Sequence, residues 1–434
     1  GAVPATKRRA TGPTEMKHYD DVIWMNFYRE LKGPPIEQLL DSLTGMDPRN
    51  RRSIKCILGN CFEAMAEGHR HQNKTFFVAI SLAKASFAHW KDYGLRHATY
   101  TRIKSSLEYL ESNGLINMTL GHWDSPTGQG RCTRMRLTLK SGQILFGGNS
   151  YTEKTNIPPV LVRDNKKNLC NPRDFKDLRR VRRQVDGWNK QLLNYTFSIS
   201  NEKLATIYNL RSLLGQKEEK PLLPKDLKKY ADTGDVITLQ RIFNQSSMKK
   251  GGRIYTDLQN INKRMRPEIR IDGGETKELD YKNYHIRMLY NKNGQNPLTD
   301  LYHSENWERS LLKRSFTIAI NSNSRGQAVL ALQKHIKAKY DPLIDANDVL
   351  RWLESNHRGV VPFFYKEVGL DLMYEDSCMA SLVIDHFLSK NEPILPIHDS
   401  FCVRDYLEPE LRSIMEDTYK KHMGYVPVVQ AVAA

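Results

Sequence analysis

Cysteine is scarce, at six in 434 residues. Cys56, Cys61, Cys132, Cys170, Cys378 and Cys402 form no CxxC pair, and no two of them pair with a nearby HxxxH. That spacing excludes a disulfide scaffold, gives no basis for a zinc site, and fits a reducing, intracellular compartment. Long apolar runs are also missing: none reaches the roughly 18–20 residues that cross a bilayer. Gly1 to Arg9 has no apolar stretch behind its charges, so no secretory signal is read there. The expectation is a cytoplasmic protein with no membrane partner. Neither internal repeats nor long low-complexity segments occur. Acidic residues are outnumbered, 49 Asp and Glu against 66 Lys and Arg, for a net charge of +17. An excess of that size favours a polyanionic partner, because neutralising phosphates releases counterions.

What is present falls into segments. Residues 1–49 read as a basic tail and short helical pieces that Pro34 and Pro35 interrupt. Residues 50–147 have a stronger rhythm. Ser53 to Glu67 predicts a helix with Ile54, Ile57, Leu58 and Phe62 on one face. A second helix follows Thr99, with Ile103, Leu107 and Leu110 spaced four and three apart, and Asn113-Gly114 stops it. Leu115 to Leu120 reads as a strand. After a turn at residues 125–130, Arg131 to Leu139 alternates Arg134, Arg136 and Thr138 with Met135, Leu137 and Leu139. Helices followed by a basic two-stranded hairpin resemble a winged helix. In that resemblance Arg96, Arg102 and Lys104 lie on or near the recognition helix and Arg131, Arg134 and Arg136 on the wing, all as DNA contacts. Residues 148–175 read as a linker and 176–250 as a helical, thumb-like region, with Arg179, Arg180, Arg182 and Arg183 on a basic helix and a charged loop at 217–229. The last domain is 251–434.

Chemistry concentrates in that last domain. Thr276 to Asp280 is a strand-like run that ends in a carboxylate where a helix begins. Pro393 to Val403 has two short apolar runs flanking His398-Asp399-Ser400, which predicts a β-hairpin with Asp399 at its turn. Two carboxylates converging on a metal pair roughly 3.5–4 Å apart are what nucleotidyl transfer needs. Between them, Arg309 and Lys313 are four residues apart on a predicted helix, so they share a face that can clamp a triphosphate.

The order Asp, then Arg-xxx-Lys helix, then His-Asp resembles motifs A, B and C of the DNA polymerase A superfamily, which includes bacterial DNA polymerase I and the single-subunit phage-type RNA polymerases. Asp280-Tyr281 through Arg287 resembles motif A of the DNA enzymes. The Arg309–Ser315 helix and Ile397-His398-Asp399-Ser400-Phe401 are closest to the RNA polymerase versions of motifs B and C. Gly252-Arg253, Leu258-Gln259-Asn260-Ile261 and Arg270 are similar to the GR…LQNI…R segment that touches primer and template. Together these cover under half of the chain.

The resemblance implies an α+β protein: an N-terminal winged-helix-like domain and a right-hand polymerase domain with an antiparallel palm sheet, a helical thumb and small helical fingers. It implies two Mg²⁺ ions, with Mn²⁺ able to substitute, held by Asp280, Asp399 and the main-chain carbonyl of Tyr281. Arg309 and Lys313 bind the incoming nucleotide, and Lys313 protonates the leaving pyrophosphate. Arg253, Gln259, Asn260, Arg287 and His398 contact the primer–template. His285 stands where the DNA polymerases carry a Glu that blocks the 2′-hydroxyl, which implies weaker discrimination of dNTP from rNTP. The finger helix departs from the family at Thr317, Asn321 and Ser322, and Pro396 removes a donor from the motif C strand. Tyr374 to Ser377 is expected to open a helix, with Glu375 either an extra acid near the metals or a carboxylate at the helix N-terminus. No acidic set before residue 250 resembles a proofreading exonuclease. This organisation is similar to replication proteins of plasmids, phages and cassettes, in a prokaryotic cell or the host of such an element, with a small accessory protein or a helicase as partner. Two alternatives stand beside it: a DNA-binding replication initiator with weak or no catalysis, and a primase or RNA polymerase that starts chains without a primer.

Overall fold

The computed structural model describes residues 22–70, 75–124, 129–199, 237–260 and 263–432. It is a mixed α/β chain with several small sheets. It divides into two compact units, Gly1–Ile157 and Pro158–Ala434, each with its own hydrophobic core. No helix among the described residues is long and apolar enough to cross a membrane, and all six cysteines are free. The basic residues before 22, the turn at 125–128 and the charged loop at 217–229 lie outside the described residues.

The elements of the first unit are β1 (Val22–Trp24), β2 (Arg29–Lys32), α1 (Pro34–Ser42), α2 (Arg51–Arg70), β3 (Phe77–Ile80), α3 (Tyr100–Ser112), β4 (Ile116–Thr119), β5 (His122–Asp124), β6 (Gln129–Arg131), β7 (Thr133–Leu137), α4 (Leu139–Phe146) and β8 (Tyr151–Lys154). Helix α3 starts where Thr99 Oγ1 accepts from the Arg102 N–H at 3.4 Å, and it buries Ile103, Leu107 and Leu110 as their spacing predicts. It ends at Asn113, and Gly114 follows at a φ of 65° that suits glycine. Strand β7 alternates as expected as far as Leu137, with Thr133, Met135 and Leu137 buried, but Thr138 caps α4 and Leu139 opens it, exposed. Each such buried Leu or Met contributes roughly 1.5–3 kcal/mol over an exposed one.

Four features differ from the sequence reading. Residues 176–250, expected to be helical, hold one helix, Leu178–Leu192, and then, among the described residues, the strands Phe197–Ile199, Gln240–Asn244 and the start of Ser247–Tyr255. Instead of an isolated two-stranded hairpin, β7 lies inside a four-stranded sheet of order β1-β3-β7-β4, and a separate small hairpin pairs β5 with β6. Residues 22–49 and 148–157 belong to the same compact unit: β2 pairs antiparallel with β8, from Arg29↔Lys154 to Lys32↔Tyr151. Pro34 and Pro35 open α1 instead of interrupting it, since the first helical positions need no N–H donor.

In the second unit the elements are β9 (Val160–Val162), α5 (Leu178–Leu192), β10 (Phe197–Ile199), β11 (Gln240–Asn244), β12 (Ser247–Tyr255), β13 (Ile269–Ile271), β14 (Thr276–Tyr281), α6 (Tyr284–Lys292), α7 (Arg309–Asn321), α8 (Arg325–Lys339), α9 (Ala346–Asn356), α10 (Gly369–Ser389), β15 (Leu395–Ile397), β16 (Ser400–Arg404), α11 (Glu408–Met423) and β17 (Val429–Ala431). An antiparallel sheet runs β15-β16-β14-β17, so β14 is an inner strand. A second sheet has the order β12-β11-β9. Helix α5 buries Leu178, Val181, Val185, Trp188 and Leu192 and exposes Arg179, Arg180, Arg182 and Arg183, the pattern of a helix with one apolar stripe. Asp385 of α10 ties it down, accepting from Gln184 Nε2 at 2.8 Å and Trp188 Nε1 at 2.6 Å.

Candidate active site

Asp280 and Asp399 come from adjacent strands of the four-stranded sheet. Asp280 pairs with Ser400 on β16 and with Gln430 on β17, and Asp399 is the residue before Ser400. Directly opposed residues of an antiparallel pair have Cβ atoms about 5 Å apart. Asp399 is thus one residue along the chain from the residue opposite Asp280, at one end of the sheet, and both aspartates are half-buried. His398 and Asp399 form the two-residue turn between Ile397 and Ser400, as expected. His398 has a φ of 58°, a conformation that a hairpin of this length usually gives to Gly or Asn. A non-glycine residue held there stores strain of order 1–3 kcal/mol, and such strain clusters at functional sites.

Asp280 shares its strand face with Glu278, two residues earlier. Glu278 accepts from Arg266 Nη1 at 3.0 Å and from the Ser400 hydroxyl, while its Oε2 is buried without a hydrogen bond. Neighbouring Tyr281 points the other way. Its ring stacks on Tyr284 at 4.5 Å, and its hydroxyl donates to the Met415 carbonyl at 2.8 Å. With the side chain committed to the core, the main-chain carbonyl is the atom through which Tyr281 could meet a metal. After it, Asn283 takes a φ of 56° and turns the chain from β14 into α6.

The first turn of α6 carries His285, and it joins a buried polar cluster. Its Nε2 lies 2.8 Å from Asp376 Oδ2 and 3.3 Å from Arg253 Nη2. Arg253 donates to the same Oδ2 from Nε at 3.1 Å and from Nη2 at 2.9 Å. Burial opposes the charge on Arg253, yet Asp376, with Asp399 further off, holds its pKa above the ordinary arginine value. Two of the sequence motifs thus meet here, through an acid on α10. His398, exposed at the turn, hydrogen-bonds the Gln259 main chain; partial desolvation, aided by Arg266 and Arg253, pulls its pKa below the usual histidine value. The side chain of Asn260 is outside those described.

Helix α7 presents Arg309 toward the same loop. Arg309 Nε donates to Asp300 Oδ2 at 2.9 Å and Nη2 to Asn283 Oδ1 at 3.2 Å, with the guanidinium 5.6 Å from the Tyr302 ring. Asp300 is partly desolvated, but its bond to Arg309 and that from the Tyr302 N–H bring its pKa down to about 2. One turn along α7, Lys313 is exposed, and its ammonium has no hydrogen bond or ion pair among the described residues. No protein-family model matches the chain, and no curated protein matches it. The geometry therefore carries the functional argument by itself.

Two expectations are corrected. Arg287 is not available to a primer–template: it is 1% exposed, and its guanidinium donates to the carbonyls of Lys282 and Pro297. It braces the loop after α6. Glu375 is neither a third acid beside the pair nor a helix N-terminal carboxylate. Helix α10 begins six residues earlier, at Gly369, and Glu375 pairs with Lys292 at 2.6 Å and His422 at 3.6 Å. The acid that enters the Arg253–His285 cluster is Asp376, one residue on, while Asp300 and Asn283 form a separate set around Arg309. The adjacent acids at 375 and 376 were visible in the sequence, but only the helix phase decides which of them points at Arg253.

Among the described residues no group of three or more His, Cys, Asp or Glu could hold a metal. Two carboxylates suit Mg²⁺ or Mn²⁺, which complete their oxygen shells with water and substrate phosphates; no all-protein cage is required. In the first unit, Arg96 is exposed and Arg102 sits in the first turn of α3. Lys104 is also exposed and lies 3.7 Å from Glu108. Arg131 ends β6, while Arg134 and Arg136 share the face of β7 away from the core, Arg136 at 5.5 Å from the Phe77 ring.

Proposed function

We propose that the chain is a template-dependent nucleotidyl transferase, a DNA polymerase of the superfamily A type that extends a primer 3′-hydroxyl with two Mg²⁺ ions. The observation that carries this reading is Asp280 at the end of an inner strand, opposite Ser400, with Asp399 next to Ser400 in a two-residue turn that holds His398 at a φ of 58°. In this reading Pro158–Ala434 contains the right hand, the four-stranded sheet is its palm, and the first unit is a winged-helix-like DNA-binding domain.

The bound metals would lower the pKa of the attacking hydroxyl and offset charge on the triphosphate. Asp280 and Asp399 would hold them, with the Tyr281 carbonyl. Lys313, exposed and without an acidic partner among the described residues, can move onto a phosphate at little cost and donate a proton to the leaving pyrophosphate. Arg309 is held ready by Asp300 and Asn283 and would exchange Asp300 for a phosphate oxygen. His285 is fixed from below by Asp376, so its ring would present a rigid edge to the sugar. Tolerance of rNTPs beside dNTPs rests on the replacement of the family's Glu by His at this position.

The test is extension of a labelled primer on a DNA template with Mg²⁺, comparing wild type with Asp399→Ala and dNTPs with rNTPs. Extension by wild type that disappears in the variant is the expected result. Retention of DNA binding without extension by wild type would favour a replication initiator. Synthesis from rNTPs on an unprimed single strand would favour a primase.

A further inference from the structure

The second unit contains a cleft of about 540 Å³ between the start of α5, the β11–β12 turn and α10. Neither Asp280 nor Asp399 lines it. At its base is Arg241, only 4% exposed. The guanidinium donates from Nε to the Gly252 carbonyl at 2.9 Å and from Nη2 to the Ser377 hydroxyl at 2.9 Å, and it lies 5.0 Å from the Phe243 ring. Each of these partners is neutral. Arg241 has no carboxylate in ion-pairing range among the described residues, although an arginine stays charged in a protein. A buried charge without a counter-charge is costly, by several kcal/mol before compensation.

We propose that this cleft binds a phosphate group, carried either on a free nucleotide or on a nucleic-acid backbone, with Arg241 as its buried counter-charge. Three further cations line the cleft: Lys176, Arg180 and Lys249. Two carboxylates oppose them, Asp174 and Asp177, the latter 3.7 Å from Arg180. The balance is positive. The N-terminus of α5 also opens onto the cleft, and its N-cap residue, Asp177, makes no capping hydrogen bond with its side chain. The positive end of the helix adds to the attraction for an anion. A guanidinium fork matches phosphate oxygens better than a point charge does. Phe175 and Tyr374 line the same cleft and provide ring surface on which a base can stack. The inference stands whether or not the hairpin carboxylates catalyse nucleotidyl transfer, because the two sites share no residue.

The test is isothermal titration of the full chain in EDTA with two probes, AMP and octathymidylate. The variant Arg180→Ala/Lys249→Ala removes two exposed cations from the cleft and leaves the core intact. The control Arg179→Ala/Arg182→Ala removes the same charge from the same helix outside the cleft. We expect the cleft variant to lose about tenfold or more in affinity, a change of roughly 1.4 kcal/mol, for at least one probe, with a loss of about twofold or less in the control. Loss for AMP would identify a free nucleotide, and loss for octathymidylate alone a backbone phosphate. Equal losses in the two variants, or no binding of either probe by wild type, would overturn the proposal.

Discussion

Arg253 and Arg241 lie on paired strands of one hairpin, and they are solved in opposite ways. The register pairs Arg241 with Ile254 and Ile242 with Arg253, so the two guanidinium groups leave from opposite faces. Arg253 is met by Asp376, and its pKa is raised despite burial. Arg241 meets only a carbonyl and a hydroxyl, and burial pulls its pKa down. The same residue type in the same hairpin is thus internally neutralised on one face and left charged on the other. In the proposal above, an external anion would complete on the Arg241 face what Asp376 completes on the other.

The largest effect should come from the Arg253 face. Asp399→Ala is expected to slow primer extension by on the order of 10³-fold, from the several kcal/mol that a metal site supplies, with the melting temperature little changed; a quench-flow rate within tenfold of wild type would break the assignment. Next comes stability. Asp376→Ala removes the carboxylate that pairs with largely buried Arg253 and should cost about 3–5 kcal/mol, whereas Arg241→Met should cost only about 1–2 kcal/mol, the penalty of an orphaned Gly252 carbonyl. Urea midpoints for the two variants decide whether the comparison holds; equal losses would erase it.

Asp300 extends the comparison to a third arginine. Its folded pKa, about 2, lies below the ordinary carboxylate value. The Asp300–Arg309 pair therefore contributes stability that is complete above roughly pH 4 and is lost as pH falls toward 2. Asp300→Asn should flatten that part of an acid-unfolding curve and leave pH 6–8 unchanged. The smallest effect is expected from Ser377→Ala, which removes one neutral acceptor from Arg241 and should lower stability by about 0.5–1.5 kcal/mol, measured by thermal melting.

Much of the local structure was legible in the sequence. The period of Ile103, Leu107 and Leu110, the Asn113-Gly114 stop and the alternation around Arg134 and Arg136 all reappear, because each depends only on near neighbours. The His398-Asp399 turn was legible for the same reason. What could not be read depends on distant partners. Nothing near Arg134 says that β3 and then β1 will extend its sheet, the latter in parallel. Nothing near Arg287 says that its guanidinium will be buried against the Pro297 carbonyl. Glu375 and Asp376 are chemically alike and adjacent, and a rotation of about 100° per residue separates one that meets Lys292 from one that meets Arg253.

That rotation has a mechanical consequence. Asp376 and Ser377 are successive residues of a 21-residue helix, and they grip Arg253 and Arg241 respectively. A helix is stiff over one residue, so any pull on Arg241 through Ser377 is transmitted to the carboxylate that holds Arg253 and His285. In the proposed reading, an anion in the cleft and a ligand against His285 would both act on one coordinate, the seating of α10 against the hairpin. By thermodynamic reciprocity, each of those two ligands would then change the other's affinity by the same factor.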